Sequence, residues 1–486
     1  MEQIKKMITE DTIAAVATPA GTGGIAVIRI SGPESIKIVD SAWQGKNLLS
    51  TPSHSVRFGR YVSLEGDVLD ECVATIFKNP SSFTGEDVVE LGLHGSSWIQ
   101  REVLNDLIKR GARIASPGEF TQRAFLNGKM DLSQAEGVAD LIAASSKVAH
   151  EIAMNQMKGN FSQELERLRL KLIEFASLLE LELDFSEEDV EFADRSALVS
   201  LCDEITGKIR KLITSYSKGS VLKNGVPVVI AGVPNAGKSS LLNLLLQDDK
   251  AIVTNVPGTT RDIIEDLIEI DGILYRFIDT AGIRESSDMV EEIGIKKAME
   301  AMEKAFIVIW VIDSSEDISH QMLSFIQFKE NHPEKNVILL FNKSDLVKDS
   351  LSSNSLDSNK IINYKSLLWD TLSKELKYAL TDIQPIIFST FTKKGYEELS
   401  KRLNEFVSIN SESEKDIIVT NARHYEALQK AYESLLRVKT NLNSGLSSEL
   451  IVQDIRETLH NLGTITGTIT TDTLLHSIFS RFCIGK

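Results

Sequence analysis

The chain has 486 residues, too many for one hydrophobic core, so two to four domains are expected. Hydrophobic residues make up 42% and charged residues 25%, the balance of an ordinary soluble globular protein. A net charge of −16 excludes a surface dedicated to nucleic acid along the whole chain, although it leaves room for a local basic groove.

Three cysteines, Cys72, Cys202 and Cys483, form no CxxC pair and stand near no histidine at metal-ligand spacing. Neither a disulfide scaffold nor a structural zinc is expected, and a reducing compartment fits best. The opening MEQIKKMITEDTIAAV has acids and no apolar core with a cleavage site, so it does not read as a secretory signal. The longest apolar run, residues 305–312, is too short to cross a bilayer and reads as a buried strand. The expectation is a cytoplasmic protein without a membrane partner.

Residues 12 to about 115 alternate short strand-like runs with turns: IAVIRISG (25–32), VATIF (73–77) and VVELGLHG (88–95), followed by a helical stretch over 97–109. This is the pattern of a compact α+β domain. Helices then dominate. Ser116-Pro117-Gly118-Glu119 has the form of a capping box, and Ser133-Gln134-Ala135-Glu136 repeats the spacing. Leu165, Leu168, Leu172, Phe175 and Leu179 fall on one helical stripe, as for core packing. An acidic stretch over 180–191 closes this region.

From 226 to about 406 strand and helix patterns alternate: VPVVIAG, LYRFIDT, AFIVIWVID, NVILLFN and QPIIFST. Continuous apolar strands between helices predict a parallel sheet covered on both faces. The Ser- and Asn-rich segment 349–359 reads as a surface loop, and residues 413–486 are helical again, ending in Phe-Cys-Ile-Gly-Lys. Helical segments on both sides of the parallel-sheet domain predict an α/β domain inserted into a discontinuous helical one.

Gly232-Val233-Pro234-Asn235-Ala236-Gly237-Lys238-Ser239 matches G-x-x-x-x-G-K-[ST] between a strand and a helical run that begins at Ser240. The glycines let backbone N–H groups face phosphate oxygens, and the helix N-terminus adds positive charge. Lys238 is expected to reach the β- and γ-phosphates, and Ser239 to ligate Mg²⁺. Asp279-Thr280-Ala281-Gly282 ends a strand, with Asp279 suited to the magnesium shell and the Gly282 N–H to the γ-phosphate. Asn342-Lys343-Ser344-Asp345 has the N-K-x-D pattern: a carboxylate at Asp345 accepts from both N–H groups of guanine, a donor pair that adenine lacks. Ser389-Thr390-Phe391 ends another strand, where backbone N–H groups support the base. Between these motifs lies Thr254-Asn255-Val256-Pro257-Gly258-Thr259-Thr260-Arg261-Asp262, in which Thr260 is the candidate to complete the magnesium shell and sense the γ-phosphate.

The position after Gly282, where some GTPases keep a water-orienting glutamine, is Ile283. Either hydrolysis is slow without a partner, or a carboxylate among Glu285, Asp288, Glu291 and Glu292 positions the water. An arginine finger is missing too. The amide of Asn235 either braces its own loop or ligates a monovalent cation that neutralises charge between the β- and γ-phosphates.

These blocks, together with ATPAGTGGIAVIRISG, SFTGEDVVEL, SPGEFTQRAFLNGKMDLSQAEGVADLI and the terminal FCIGK, make the chain resemble the bacterial tRNA-modification GTPase family called MnmE or TrmE, over nearly its whole length. The resemblance implies an N-terminal folate-binding and dimerisation domain (1–125), a helical domain in two parts (126–222 and 409–486) and an inserted GTPase domain (223–408). It implies a homodimer whose GTPase domains meet in a potassium-dependent way, with K⁺ held at Asn235, Thr254, Val256 and Thr259, and Mg²⁺ at Ser239 and Thr260. Glu291 would act on water, beside Lys238 and Asn235. Arg29, Glu90, Lys129 and Lys486 match positions that contact a reduced folate (5,10-methylene- or 5-formyl-tetrahydrofolate), and Cys483 matches a family cysteine of possible reactivity. An FAD- and NADH-dependent partner, joined in a heterotetramer, and the wobble uridine of tRNA complete the implied reaction. A competing reading is a GTPase that binds RNA in ribosome assembly without modification chemistry; another is a nucleotide-switched scaffold.

Overall fold

The structure, a computed structural model, describes residues 11–184, 195–248, 250–251, 265–278, 299–346, 383–407, 417–444 and 448–485. The chain divides into two compact units, one of Met1–Ala143, Ala153–Ile213 and Arg423–Lys486, the other of Ala144–Ile152 and Thr214–Ala422. In sequence, the second unit is inserted into the first.

The first unit opens with seven strands: β1 (Ile13–Val16), β2 (Ile25–Ser31), β3 (Trp43–Gly45), β4 (Ser55–Val62), β5 (Val68–Phe77), β6 (Val88–His94) and β7 (Arg113–Ile114). They form one sheet in the order β3-β4-β5-β6-β2-β1-β7, antiparallel throughout except for β1 beside β7. Period-two alternation sends Ile28, Ile30, Ala74, Ile76, Val89 and Leu91 into a core shared with Val103 and Leu107 of the helix Ser97–Lys109. Ile25, Val56, Phe58 and Val73 are exposed. The strand expected at 73–77 begins five residues earlier, at Val68, and β4, its hairpin partner, adds a strand that the pattern had not shown.

Both expected capping boxes are displaced. The first helix after 116 is Glu119–Leu126, capped by Gly118 in the left-handed region rather than by Ser116. Half of the box survives, because the Ser116 N–H donates to Glu119 Oε2 at 2.8 Å. The second helix, Leu132–Ala143, starts before Ser133, and its reciprocal pair is Asp131 with Gln134: each backbone N–H donates to the other's side chain at 2.9 Å. Glu136, freed from capping, is buried with Arg423 and His424. The helix Asn160–Asp184 carries the expected stripe, with Leu165, Leu168, Leu172, Phe175 and Leu179 all buried, and packs along Ser448–Thr466. Each such leucine contributes about 1.5–3 kcal/mol.

The second unit contains β8 (Val226–Gly232), β9 (Lys250–Ala251), β10 (Glu265–Ile270), β11 (Ile273–Ile278), β12 (Ile307–Asp313), β13 (Asn336–Asn342) and β14 (Ile386–Ile387), in the order β14-β13-β12-β8-β11-β10-β9. The five strands read from the sequence are the parallel part, and β12 is buried along its whole length. β9 and β10 add an antiparallel edge. The turn from β10 to β11 is Asp271-Gly272 with φ of 51° and 84°, the dipeptide and backbone that favour a hairpin. The loop expected at 349–359 and the acidic stretch beyond 184 lie outside the described residues.

Candidate functional site

In a parallel sheet, ligands sit beyond the carboxyl ends of the strands. Gly232 ends β8 and Asn342 ends β13, with β12 between them. The loop after β8 leads into the helix Lys238–Asp248. Two glycines make this path. Gly232 has a φ of 140°, and a Cβ on it would lie 2.3 Å from the Val311 carbonyl; Gly237 has a φ of 99°, and its Cβ would lie 2.1 Å from Asn342 Nδ2. Asn235 adopts a φ of 63°, which places its exposed side chain on the outer turn of the loop. Lys238 Nζ donates to the carbonyls of Gly232 and Val233 at 2.9 and 2.8 Å, so its charge is held inside the curl of the loop. Ser239 and Ser240 lie in the first helical turn, where N–H groups are free of intrahelical partners, and Ala236 is fully buried beneath.

The N-K-x-D motif is tied to this loop. Asn342, fully buried, donates to the Ala236 carbonyl at 2.9 Å and accepts from the Thr390 N–H at 3.2 Å. Thr390 thus spends its N–H on Asn342. Lys343, at a φ of 60°, forms an ion pair with Asp313 at 2.5 Å. Burial pushes the Asp313 carboxyl up, but the hydrogen bonds from Lys343 and Ser315 outweigh it and hold it below its ordinary value. Asp345 is exposed, and its Oδ1 accepts from the buried Ser389 hydroxyl at 2.6 Å, which fixes the orientation of the carboxylate. Phe391 is largely exposed. Among the site residues read from the sequence, Thr254, Asn255, Val256, Pro257, Gly258, Thr259, Thr260, Asp279, Thr280, Ala281, Gly282 and Glu291 lie outside the described residues, as does Lys486.

The first unit gathers a second set. Arg29 on β2 stands opposite Glu90 on β6 and pairs with it at 2.8 Å. Two rings flank the guanidinium, Phe83 at 5.6 Å and Phe120 at 5.7 Å. Lys129 Nζ donates to the Pro80 carbonyl, so it reaches the same loop that carries Phe83. The C-terminal tail arrives here too: the Cys483 carbonyl accepts from the Gly118 N–H at 3.4 Å, and a Cβ on Gly485 would lie 2.4 Å from the Val16 carbonyl. Cys483 itself is exposed; Cys72 and Cys202 are buried, and burial pushes the Cys72 thiol up to about 12.

Beneath lies a network that the sequence did not reveal. Arg123, fully buried, pairs with Glu86, Glu119 and Asp11. Its carboxylate partners sit beside the two aromatic walls, Glu86 on the loop of Phe83 and Glu119 next to Phe120. Burial raises Glu86 above its usual range against the pull of Arg123; in Glu119 burial is outweighed by Arg113, Ser116 and Arg123, and the carboxyl is lowered.

A glycine-rich G-x-x-x-x-G-K-S loop at the end of a parallel strand, joined by a buried asparagine to the loop of an N-K-x-D motif, defines the second unit as a P-loop GTPase domain. Residues 12–129 match the profile described as "GTP-binding protein TrmE N-terminus", and residues 132–483 match "MnmE helical domain". The tRNA modification GTPase MnmE of Bacteroides fragilis (strain ATCC 25285) is 47% identical over 99% of this chain and 100% of its own. The proteins of the same name from Christiangramia forsetii (46%) and Bacteroides thetaiotaomicron (48%) match over the same shares. The chain belongs to the MnmE family of tRNA modification GTPases, and it is a GTP-hydrolysing enzyme that takes part in tRNA modification.

Proposed function

We propose that this GTPase works with an FAD- and NADH-dependent partner enzyme in a heterotetramer. Together they add an aminomethyl or carboxymethylaminomethyl group to carbon 5 of the wobble uridine, position 34, of certain tRNAs in the cytoplasm. A reduced folate, 5,10-methylene- or 5-formyl-tetrahydrofolate, supplies the one-carbon unit when bound. The observation that carries this reading is the Arg29–Glu90 pair with the rings of Phe83 and Phe120 at the Arg29 guanidinium, and the tail at Cys483 and Gly485 packed on the same unit. The residue set fits a folate: aromatic walls suit a flat ring, a carboxylate at Glu90 suits ring N–H donors, and Arg29, Lys129 and Lys486 suit carboxylates.

In the GTPase domain, Ser239 and Thr260 would hold Mg²⁺, and Asn235, Thr254, Val256 and Thr259 would hold K⁺. The exposed left-handed Asn235 on the phosphate loop supports that role. Lys238 stabilises the phosphate charge and Glu291 orients water. K⁺-dependent pairing of the GTPase domains in a homodimer stimulates hydrolysis, and their closing and opening gate the chemistry in the N-terminal unit. An exposed apolar patch on β4 and β5 with Val56, Phe58 and Val73 is available for pairing of the N-terminal units.

Equilibrium dialysis of the full-length protein against 5-formyl-tetrahydrofolate tests the first claim. Saturable binding, weakened at least tenfold by Arg29→Ala, is expected. Mass spectrometry of tRNA from a strain lacking the gene tests the second: the wobble-uridine modification disappears, and unchanged tRNA would favour the ribosome-assembly or scaffold reading instead.

A further inference from the structure

At the far end of β6 from Glu90, His94 meets Asp70 of β5. The imidazole Nδ1 lies 2.7 Å from Asp70 Oδ1, and the His94 backbone N–H donates to Asp70 Oδ2 at 2.8 Å. Asp70 is thus held by two donors of one residue. Its side chain is 5% exposed, while that of His94 is 71% exposed. A carboxylate partner makes Nδ1 the proton-bearing nitrogen and leaves Nε2 as a free acceptor facing solvent.

The surroundings are built from glycine. Ile25 stands opposite His94 in the ladder, and the exposed segment 19–25 ahead of it reads Pro-Ala-Gly-Thr-Gly-Gly-Ile. The Gly23 N–H donates to the Gly95 carbonyl at 3.1 Å, and a Cβ on Gly95 would lie 2.3 Å from the Gly23 carbonyl. Bare backbone therefore lies against the residue next to the ring. Among the described residues, the charged side chain paired with His94 is Asp70 of β5; its neighbour Glu71 is paired with Arg60, and Glu90, on β6 itself, with Arg29. The segment 19–25 brings none. Glu90 and His94 lie four residues apart on one strand, roughly 13 Å.

Resting on the reaction proposed above, we infer that His94 is the general base that deprotonates the amine brought into the new aminomethyl group. An amine enters as an ammonium ion, which has no lone pair to attack with. The ammonium N–H proton passes to His94 Nε2, the nitrogen lone pair is freed, and the imidazolium is balanced by the Asp70 carboxylate. No electrons are exchanged, and no other bond is made or broken in this step. An imidazole suits the task because one ring nitrogen can stay bonded to the carboxylate while the other takes up the proton.

The test uses the full-length protein with its partner enzyme, substrate tRNA and ammonium chloride, comparing wild type with His94→Gln and Asp70→Asn. Modification by His94→Gln is expected to be at least a hundredfold slower at pH 7, with the deficit shrinking at least tenfold at pH 9, where free amine is abundant without a base. Asp70→Asn should slow it about tenfold. Thermal midpoints and the dissociation constant for 5-formyl-tetrahydrofolate should hold within twofold. In long-range ¹H–¹⁵N spectra, His94 should show the Nδ1–H tautomer in wild type and a mixture in Asp70→Asn. A His94→Gln rate within threefold of wild type, or a deficit equal at both pH values, overturns the assignment. A wild type that neither binds folate nor modifies tRNA overturns the underlying reaction instead.

Discussion

Asn342 donates its side-chain amide to the carbonyl of Ala236 at 2.9 Å, across 106 positions of the chain. The N-K-x-D motif and the glycine-rich loop are thereby mechanically joined, and the same side chain accepts from Thr390. Replacing Asn342 by Ala leaves the Ala236 carbonyl and the Thr390 N–H unpaired, at about 1–3 kcal/mol each. Affinity for GTP should fall by roughly thirtyfold or more. The preference for GTP over ATP should persist, because Asn342 spends its side chain on the two loops. Titration with a fluorescent GTP analogue, competed by unlabelled GTP or ATP, checks both; loss of the preference would show that Asn342 reads the base.

Selectivity should instead reside in Asp345, whose carboxylate is aimed by the Ser389 hydroxyl at 2.6 Å. Asp345→Asn replaces one acceptor by a donor, so GTP affinity should drop roughly a thousandfold. Xanthosine triphosphate, with a carbonyl where guanine has its amine, should become the better ligand. Ser389→Ala, which frees the carboxylate to rotate and also removes the acceptor of the Thr392 N–H at 3.1 Å, should cost about tenfold. Competition binding with the two nucleotides decides; an unchanged order of affinity would remove Asp345 from base reading.

The nucleotide motifs were legible because their chemistry constrains consecutive residues: Gly232 and Gly237 are glycines for reasons that lie within a few ångströms of the loop. The stripe from Leu165 to Leu179 was legible for the same local reason, its helical period. The capping boxes misled because their spacing is also local but the outcome is not. Gly118 takes over the cap of Glu119–Leu126 where the C-terminal segment packs against it, 361 positions away at Phe479. The ties through Arg123 and Asn342 left no trace in the sequence, since a buried arginine or asparagine looks like any surface one until its partners are known. The phenylalanines flanking Arg29 stood inside motifs quoted for the family, yet nothing in their spacing gave them a common target.

That packing at Gly118 is itself testable. Its φ is 69°, and a Cβ would lie 2.6 Å from the Phe479 carbonyl and 3.0 Å from the Phe482 Cβ. Gly118→Ala therefore meets both backbone strain and a clash with backbone, and should destabilise the first unit by about 1–3 kcal/mol. The tail through Cys483 should loosen with it. Faster carboxypeptidase digestion of the variant would register the change, and an unaltered tail would mean that the contact at Phe479 yields at no cost.

The cluster of Glu136, Arg423 and His424 predicts a pH signature. Burial pushes the Glu136 carboxyl up, but the His424 charge and hydrogen bond and those of Arg423 outweigh it and hold the group at about 2, against an ordinary 4.5. A lowered carboxylate contributes stability that is fully present above about pH 4.5 and is lost as pH falls through about 2. Glu136→Gln should therefore cost about 3 kcal/mol at neutral pH. The gap from wild type should narrow between pH 4.5 and 2. Hydrogen exchange of Leu132–Ala143 and Ala422–Asn443 amides across that range measures it; a gap constant with pH would assign the loss to packing.

The cation role of Asn235 separates from its backbone role by a choice of substitution. At a φ of 63° the residue occupies the left-handed region, which costs an alanine roughly 1 kcal/mol but a glycine nothing. Asn235→Gly thus keeps the course of the loop and removes only the amide. If that amide ligates K⁺, exchange of K⁺ for Na⁺ should slow GTP turnover by wild type at least tenfold, because the shorter ionic radius leaves the ligand shell mismatched and the phosphate charge less well neutralised. Asn235→Gly should turn over slowly in both salts while still binding GTP with near wild-type affinity, since backbone N–H groups and Lys238 hold the phosphates. Steady-state phosphate release in the two salts, beside nucleotide titration, reads both. Equal wild-type rates in K⁺ and Na⁺ would reduce Asn235 to a brace of its own turn, and a glycine variant that keeps the K⁺ response would move the cation to other ligands.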